Sequence, residues 1–130
     1  YAKMLGLLFE RDNRRRELGI LRLVSNRSEL QKATATQWAD IQNRRPMSRL
    51  NVIIQLFAAA TAHLDLTKPA NPILLLNSQG DQLVDPACSM TIQQQWRCEL
   101  KTHDGAGHDL PLDDGNWVVG HMLDWLARHG

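Results

Sequence analysis

The stretch PILLLNSQGD, residues 72–81, decides the expected fold of this 130-residue chain. Its unbroken apolar run, residues 73–76, is typical of a parallel β-strand that is covered on both faces. The polar residues that follow, 77–80, predict a loop at the carboxyl end of that strand. Ligand sites in open parallel sheets lie beyond the carboxyl ends of the strands. The segment around Asp81 is therefore the first candidate for a functional site.

A second strand is predicted after one intervening helix. Asp85 fits the N-cap of that helix, with Pro86 at its first position, and the helix is expected to run to about Trp96. Residues 99–102 then predict a second, weaker strand. Two strands joined by a helix favour parallel pairing with a right-handed crossover, as in α/β proteins.

A loop and a final helix follow the second strand. Residues 103–114 contain glycines and a proline and predict the loop, and either Asp113 or Asp114 is suited to cap the helix. The expected apolar face of this helix consists of Val118, Met122, Trp125 and Leu126.

The pattern of the first half of the chain predicts three helices. The first ends at Ser25-Asn26, the second starts with a capping box at Ser28 and ends before Pro46, and Ser48 caps the third. The third helix carries apolar residues over a wide arc, so we expect it to be buried. These residues are Leu50, Ile53, Ile54, Phe57, Ala60 and Leu64.

The chain is expected to divide into two parts, a helical segment at residues 1–67 and a β-α-β-α segment at residues 68–130. The prolines in residues 67–72 exclude a helix there and predict a linker. Two strands alone do not form a stable sheet. We therefore expect either that copies of the chain pair through the open sheet edges, or that further strands lie outside these residues. The chain starts at Tyr1 rather than Met, which favours the second expectation.

Composition limits the function classes. Hydrophobic residues make up 43% and charged residues 22%, which is typical of a folded globular protein, and no apolar run approaches the roughly 18 residues of a membrane span. The net charge of +1 is uneven, because residues 1–50 carry +6 and residues 51–130 carry −5. The basic half suggests either an anionic partner such as nucleic acid or simply a solvated helical surface.

The two cysteines, Cys88 and Cys98, predict no disulfide. A helix between them would separate them by about 15 Å, whereas disulfide-bonded Cα atoms lie within about 7 Å. Both thiols are expected to be reduced, which suits a cytoplasmic protein. We also expect Cys88 to be a small buried residue.

Asp81 and His108 are the candidate catalytic residues. Each follows a predicted strand, so the two side chains are expected at the same edge of the sheet. A carboxylate that accepts a hydrogen bond from an imidazole fixes its tautomer, and the ring can then act as a general base.

The residues around this pair resemble the C-terminal part of the α/β-hydrolase family. GDQLV at residues 80–84 is similar to the family's acid motif, and GAGH at residues 105–108 is similar to its histidine loop. The resemblance implies that Asp81 is the triad acid and His108 the triad base. It also implies that the helices before residue 67 form a lid, and that the chain is the C-terminal portion of an α/β-hydrolase fold without the N-terminal half of the sheet.

The family's nucleophile is missing from this chain. None of the serines lies in a Gly-x-Ser-x-Gly turn; these are Ser25, Ser28, Ser48, Ser78 and Ser89. Since the family order is serine, acid, histidine, the serine is expected upstream, in the missing N-terminal half of the same enzyme. The expected substrate is a small ester or other acyl compound, with no cofactor, no metal, no nucleic acid and no membrane partner. The fragment alone is expected to be inactive.

Several alternatives compete with this interpretation. Asp81 and His108 also suit ordinary turns, Asp85 is a second candidate acid, and His103, Asp104, His108 and Asp109 have the residue types of a metal site without its helical spacing. His63, His121 and His129 are interpreted as surface or capping residues, and Arg14-Arg15-Arg16 as a solvated face. The main alternative function is a non-catalytic protein-interaction or nucleic-acid-binding module that uses the basic helical half.

Overall fold

The structure of this chain is a computed structural model, which describes residues 2–7, 9–62 and 67–130. Tyr1, His63 and Leu64, for which the sequence makes predictions, lie outside the described residues. The elements in chain order are α1 (Ala2–Leu7), α2 (Asn13–Val24), α3 (Ser28–Arg44), α4 (Arg49–Thr61), β1 (Leu74–Ser78), α5 (Ala87–Trp96), β2 (Glu99–His103) and α6 (Leu110–His129).

The chain divides into two compact units. The first, here called the helical unit, contains Tyr1–Leu21 and Glu29–Asp65; the second, here called the sheet unit, contains Arg22–Ser28 and Leu66–Gly130. The sequence boundary at residue 67 does not anticipate that the short segment Arg22–Ser28 belongs with the sheet. That segment contains the end of α2, the break at residues 25–27 and the first residue of α3, and its contacts in the sheet unit are described below.

The sheet has two parallel strands in the part of the chain that the structure describes. Leu74 pairs with Glu99 at one end of the register and Ser78 pairs with His103 at the other. β1 thus includes Asn77 and Ser78, which the sequence predicted to lie in a loop, because their backbones continue the ladder with β2. The apolar residues of β1 are only half-buried, and its two buried positions are the polar ones, Asn77 and Ser78. The observed mixture of helices and a small parallel sheet agrees with the predicted α/β class.

The start of α6 explains why two adjacent acidic residues stand there. Asp109 caps the first turn by accepting the N–H of Leu112, and the backbone then kinks at Asp114. The Asp114 carboxylate accepts the N–H of Trp117 at 3.0 Å, so it caps the longer part of the helix, as predicted. Asp113 is not a cap, and its side chain is buried. The core below this turn consists of Ala106, Leu110 and Val118, with Leu76 and Trp117 packed against them.

The first half of the chain has four described helices where the sequence predicts three, because α1 is separate from α2. The third predicted helix is α4, and the prediction that it is buried is wrong. Ser48 caps α4 by accepting the N–H of Asn51 at 3.2 Å, as expected. The apolar face of α4 is exposed, however, with Phe57 69% and Leu50 65% accessible. An apolar pattern identifies the face that avoids water, but it does not supply the surface against which that face packs. None of the described helices is both long and apolar enough to cross a membrane.

Candidate active site

Asp81 and His108 contact each other directly. Nδ1 of His108 lies 2.8 Å from Oδ2 of Asp81, across 27 residues of sequence. The Asp81 side chain is 13% accessible and that of His108 is 40% accessible. Among the described residues, none forms a hydrogen bond with Nε2 of His108. We call these two residues the dyad.

The second oxygen of the Asp81 carboxylate is held by backbone groups. Oδ1 accepts the N–H of Leu83 at 2.8 Å and that of Val84 at 2.9 Å, which is the pattern of an Asx turn. Partial burial raises the pKa of Asp81, but the hydrogen bonds from Val84, His108 and Leu83 outweigh this effect and hold the pKa below its usual value. The carboxylate is therefore ionised and fixed in orientation at neutral pH.

Two glycines allow the loops that carry the dyad to pack closely. A Cβ on Gly80 would lie 2.5 Å from the carbonyl oxygen of Ala106, and one on Gly107 would lie 2.5 Å from that of Val24. No described glycine has a positive φ, so the reason is space rather than backbone conformation.

Asp113 organises the loop next to His108. Its carboxylate accepts three hydrogen bonds, from Ser25 Oγ at 2.5 Å, from the Gly107 N–H at 2.6 Å and from the Asn26 N–H at 2.8 Å. Nε of Arg27 donates to the Asp113 carbonyl at 2.9 Å. The residue before His108 is thus tied to a buried carboxylate.

The segment Arg22–Ser28 also holds the other side of the histidine loop. The Asp109 N–H donates to the carbonyl of Val24 at 2.8 Å. The Asn26 side-chain amide donates to the carbonyls of both Gly80 and Gly105 at 3.0 Å, so a single side chain joins the Asp81 loop to the His108 loop. The sequence did not predict these roles, because the partners are 54 to 88 residues apart along the chain. The only local signals were a helix break at Ser25-Asn26 and one acidic residue more than α6 needs for capping.

Ser78 and His103 complete the support of this loop from the strand ends. The Ser78 hydroxyl lies 2.6 Å from the Ala106 carbonyl and 3.0 Å from that of His103. Nδ1 of His103 accepts the N–H groups of Gly105 and Ala106, which places the ring proton on Nε2, 3.5 Å from Asp114. Both ring nitrogens of His103 are engaged, so this second Asp–His pair is structural.

The competing candidates have other roles or remain separate. Oδ1 of Asp85 accepts the N–H of Ala87 at 2.9 Å, as suits a residue at the start of α5. Cys88 is exposed, so the prediction that it is buried was wrong; the first turn of α5 presents it to solvent. Cys88 and Cys98 are both free thiols. No group of three or more His, Cys, Asp or Glu side chains converges within residues 2–7, 9–62 and 67–130.

A small cavity lies next to the histidine loop and is separate from the dyad. A cavity of about 110 Å³ beside the histidine loop is lined by Asn26, His103, Gly105 and Asp113 among others, and it does not include Asp81 or His108. No protein-family model matches the chain, and no curated protein and no solved structure is significantly similar to it.

Proposed function

We propose that this chain supplies the acid and the base of an α/β-hydrolase-type active site. Asp81 orients His108, and His108 is the general base for a serine that lies outside these 130 residues. The proposed substrate is a small ester or other acyl compound. In this interpretation residues 1–67 act as the lid and residues 68–130 as the C-terminal part of the catalytic core, and no cofactor is required.

The 2.8 Å contact between His108 Nδ1 and Asp81 Oδ2 carries the proposal. An ionised carboxylate at this distance favours the tautomer with its proton on Nδ1, since the carboxylate can only accept. Nε2 then has a free lone pair, and the 40% accessibility of the His108 side chain leaves room for a hydroxyl group to approach it.

The chemistry follows from this arrangement. The serine hydroxyl attacks the substrate carbonyl while Nε2 of His108 takes its proton, and the ring then gives that proton to the leaving alcohol. Water repeats the sequence on the acyl-serine and releases the acid. Asp81 stabilises the imidazolium formed in each half without itself becoming protonated.

The first test uses the 130-residue chain. We expect ¹⁵N NMR of the neutral His108 ring to show the proton on Nδ1, and Asp81→Asn to shift the ring toward the Nε2–H tautomer. Asp85→Asn is the matched control, because the Asp85 side chain accepts the N–H of Ala87 at the start of α5 and forms no hydrogen bond with His108. An Nε2–H tautomer in the unmodified protein would contradict the proposed orientation.

The second test concerns the nucleophile. The coding sequence beyond this chain should contain a Gly-x-Ser-x-Gly turn between a strand and a helix. In that full-length protein, His108→Ala and Asp81→Asn should each lower kcat for a p-nitrophenyl ester by about 10⁴-fold, with little further loss on combining them. Asp85→Asn should keep kcat. Full activity in His108→Ala would overturn the proposal.

The exposed arginines of the helical unit favour one other candidate, a module that binds nucleic acid or an acidic protein. Arg11, Arg14 and Arg15 are exposed at and before the start of α2. Such binding should weaken steeply with added salt, whereas ester hydrolysis should not. Salt-sensitive binding to duplex DNA, together with no hydrolase activity in the full-length protein, would support this alternative.

A further inference from the structure

The helical unit contains a cavity that is independent of the dyad. Its volume is about 190 Å³. The apolar part of its lining consists of Met4, Leu7, Ile20, Met47, Val52 and Leu56. An apolar cavity of about 150 Å³ is large enough to bind benzene, so this one has room for a six-membered ring with one small substituent.

One carboxyl group lines this apolar cavity and has no hydrogen-bond partner among the described residues. Glu17 is only 4% exposed, and its Oε1 atom is fully buried without a hydrogen bond. Nε of Arg16 lies 3.8 Å from Oε1, which is beyond hydrogen-bond distance. The Glu17 carboxyl group is thus largely removed from water without a donor to replace it, which is unfavourable. A donor that reaches this group from the cavity would therefore stabilise the protein.

The charges around the cavity decide what kind of donor fits. Burial raises the pKa of Glu17, and the charge of Arg16 offsets this only in part. Arg16 and Arg49 both line the cavity, so a cationic ligand would meet two positive groups. A neutral hydroxyl group can donate to the Glu17 carboxyl group without that repulsion.

We propose that this cavity binds a small neutral alcohol or phenol, with the hydroxyl donating to the carboxyl group of Glu17 and the apolar body lying among the side chains of α1, α2 and α4. The site involves no residue of the dyad. Evidence against the hydrolase proposal would therefore not bear on this binding site, and the reverse also holds.

Calorimetric titration of the 130-residue chain with phenol and with toluene tests the site. The two ligands are similar in size, but only phenol can donate a hydrogen bond. Phenol should bind saturably with a Kd at or below about 1 mM. The absence of saturable phenol binding would overturn the proposal, since water would then be the only suitable occupant.

Glu17→Met removes the acceptor by replacing the carboxyl-bearing side chain with an apolar one of similar length. The ratio of Kd for phenol to Kd for toluene should rise at least about tenfold, as expected for a lost hydrogen bond to a charged or polarised group. An unchanged ratio would show that Glu17 does not bind the hydroxyl. Circular dichroism should show an unchanged helical signal, because the variant removes an unpaired buried group.

A second pair of variants tests the location without touching Glu17. Val52→Phe adds volume inside the cavity and should abolish binding of both ligands. Ile53→Phe, one residue further along α4, places the same aromatic ring at a position where the native residue is 50% exposed. This variant should leave both affinities unchanged. Equal binding by Val52→Phe and the unmodified chain would place the ligands outside this cavity and overturn the proposal.

Discussion

The Asp113 carboxylate accepts the backbone N–H of Gly107 at 2.6 Å, immediately before His108. The same carboxylate accepts bonds from Ser25 and Asn26, so it joins the histidine loop to the segment between α2 and α3. It is 4% exposed, which means that the three donors depend on it rather than on water. Asp113 is in this sense a positioning residue for His108 and does not touch the dyad itself.

Asp113→Asn should destabilise the protein by about 2–3 kcal/mol. The amide replaces one carboxylate oxygen by an NH₂ group, so at least one of the three donors loses its acceptor. Urea denaturation measures the change in the free energy of unfolding. The His108 ring signals should also broaden or shift, because its loop loses an anchor.

Asp124→Asn provides the control for this substitution. Asp124 lies on the same helix, but it is exposed, so its replacement should change the free energy of unfolding by less than about 0.5 kcal/mol. Equal stability of Asp113→Asn and Asp124→Asn would refute the role of Asp113.

The stability of the protein should fall in acid through Asp113. Burial raises the pKa of this group, but hydrogen bonds from Ser25, Gly107 and Asn26 outweigh it and hold the pKa below the usual 3.8. A carboxyl with a lower pKa in the folded state contributes stability that is fully present above 3.8 and is lost as the pH falls through the folded pKa. Urea titrations from pH 7 down to about 2.5 should therefore give a steeper loss for the unmodified chain than for Asp113→Asn. Parallel pH curves for the two proteins would show that another group is responsible.

Gly107→Ala should destabilise the protein where Gly105→Ala does not. A Cβ at position 107 would lie 2.5 Å from the Val24 oxygen and 2.9 Å from the Ser25 Cα, and backbone atoms cannot move aside cheaply. We expect a loss of about 1–3 kcal/mol. A Cβ at position 105 meets nothing within 4 Å, so that variant should be neutral or about 0.4–1 kcal/mol more stable. Thermal unfolding of the two variants compares them directly, and a similar melting temperature for both would contradict the close packing.

The sequence predicts the order of the elements in the sheet unit and the residues that meet at its edge. The apolar run of β1, the Asp85-Pro86 helix start and the glycine loop are local signals, and parallel pairing then brings Asp81 and His108 to the same end of the sheet. The sequence also predicts the cap at Ser48 and a cap at either Asp113 or Asp114, of which the structure uses Asp114, since each depends on residues within one helical turn.

The contacts between distant segments could not be predicted in the same way. Ser25 and Asp113 are 88 residues apart, and a serine at a helix break has many available partners. The lengths of the strands also differ from the prediction, because Asn77 and Ser78 are polar residues that extend β1 only by pairing with β2. The prediction that α4 is buried is wrong for a similar reason, since its apolar arc does not specify the surface against which it packs.

Phe57→Lys should leave the stability almost unchanged, although the sequence pattern would make it a core substitution. Phe57 is 69% exposed on α4, so the change removes little buried apolar area, and we expect less than about 0.5 kcal/mol. Leu21 is fully buried in α2, and Leu21→Ala should cost about 2–5 kcal/mol through lost contacts and a cavity. Urea denaturation of both variants at several protein concentrations separates the two cases. A loss of several kcal/mol in Phe57→Lys that is the same at every concentration would mean that the face of α4 is packed within the chain, as the sequence pattern predicted.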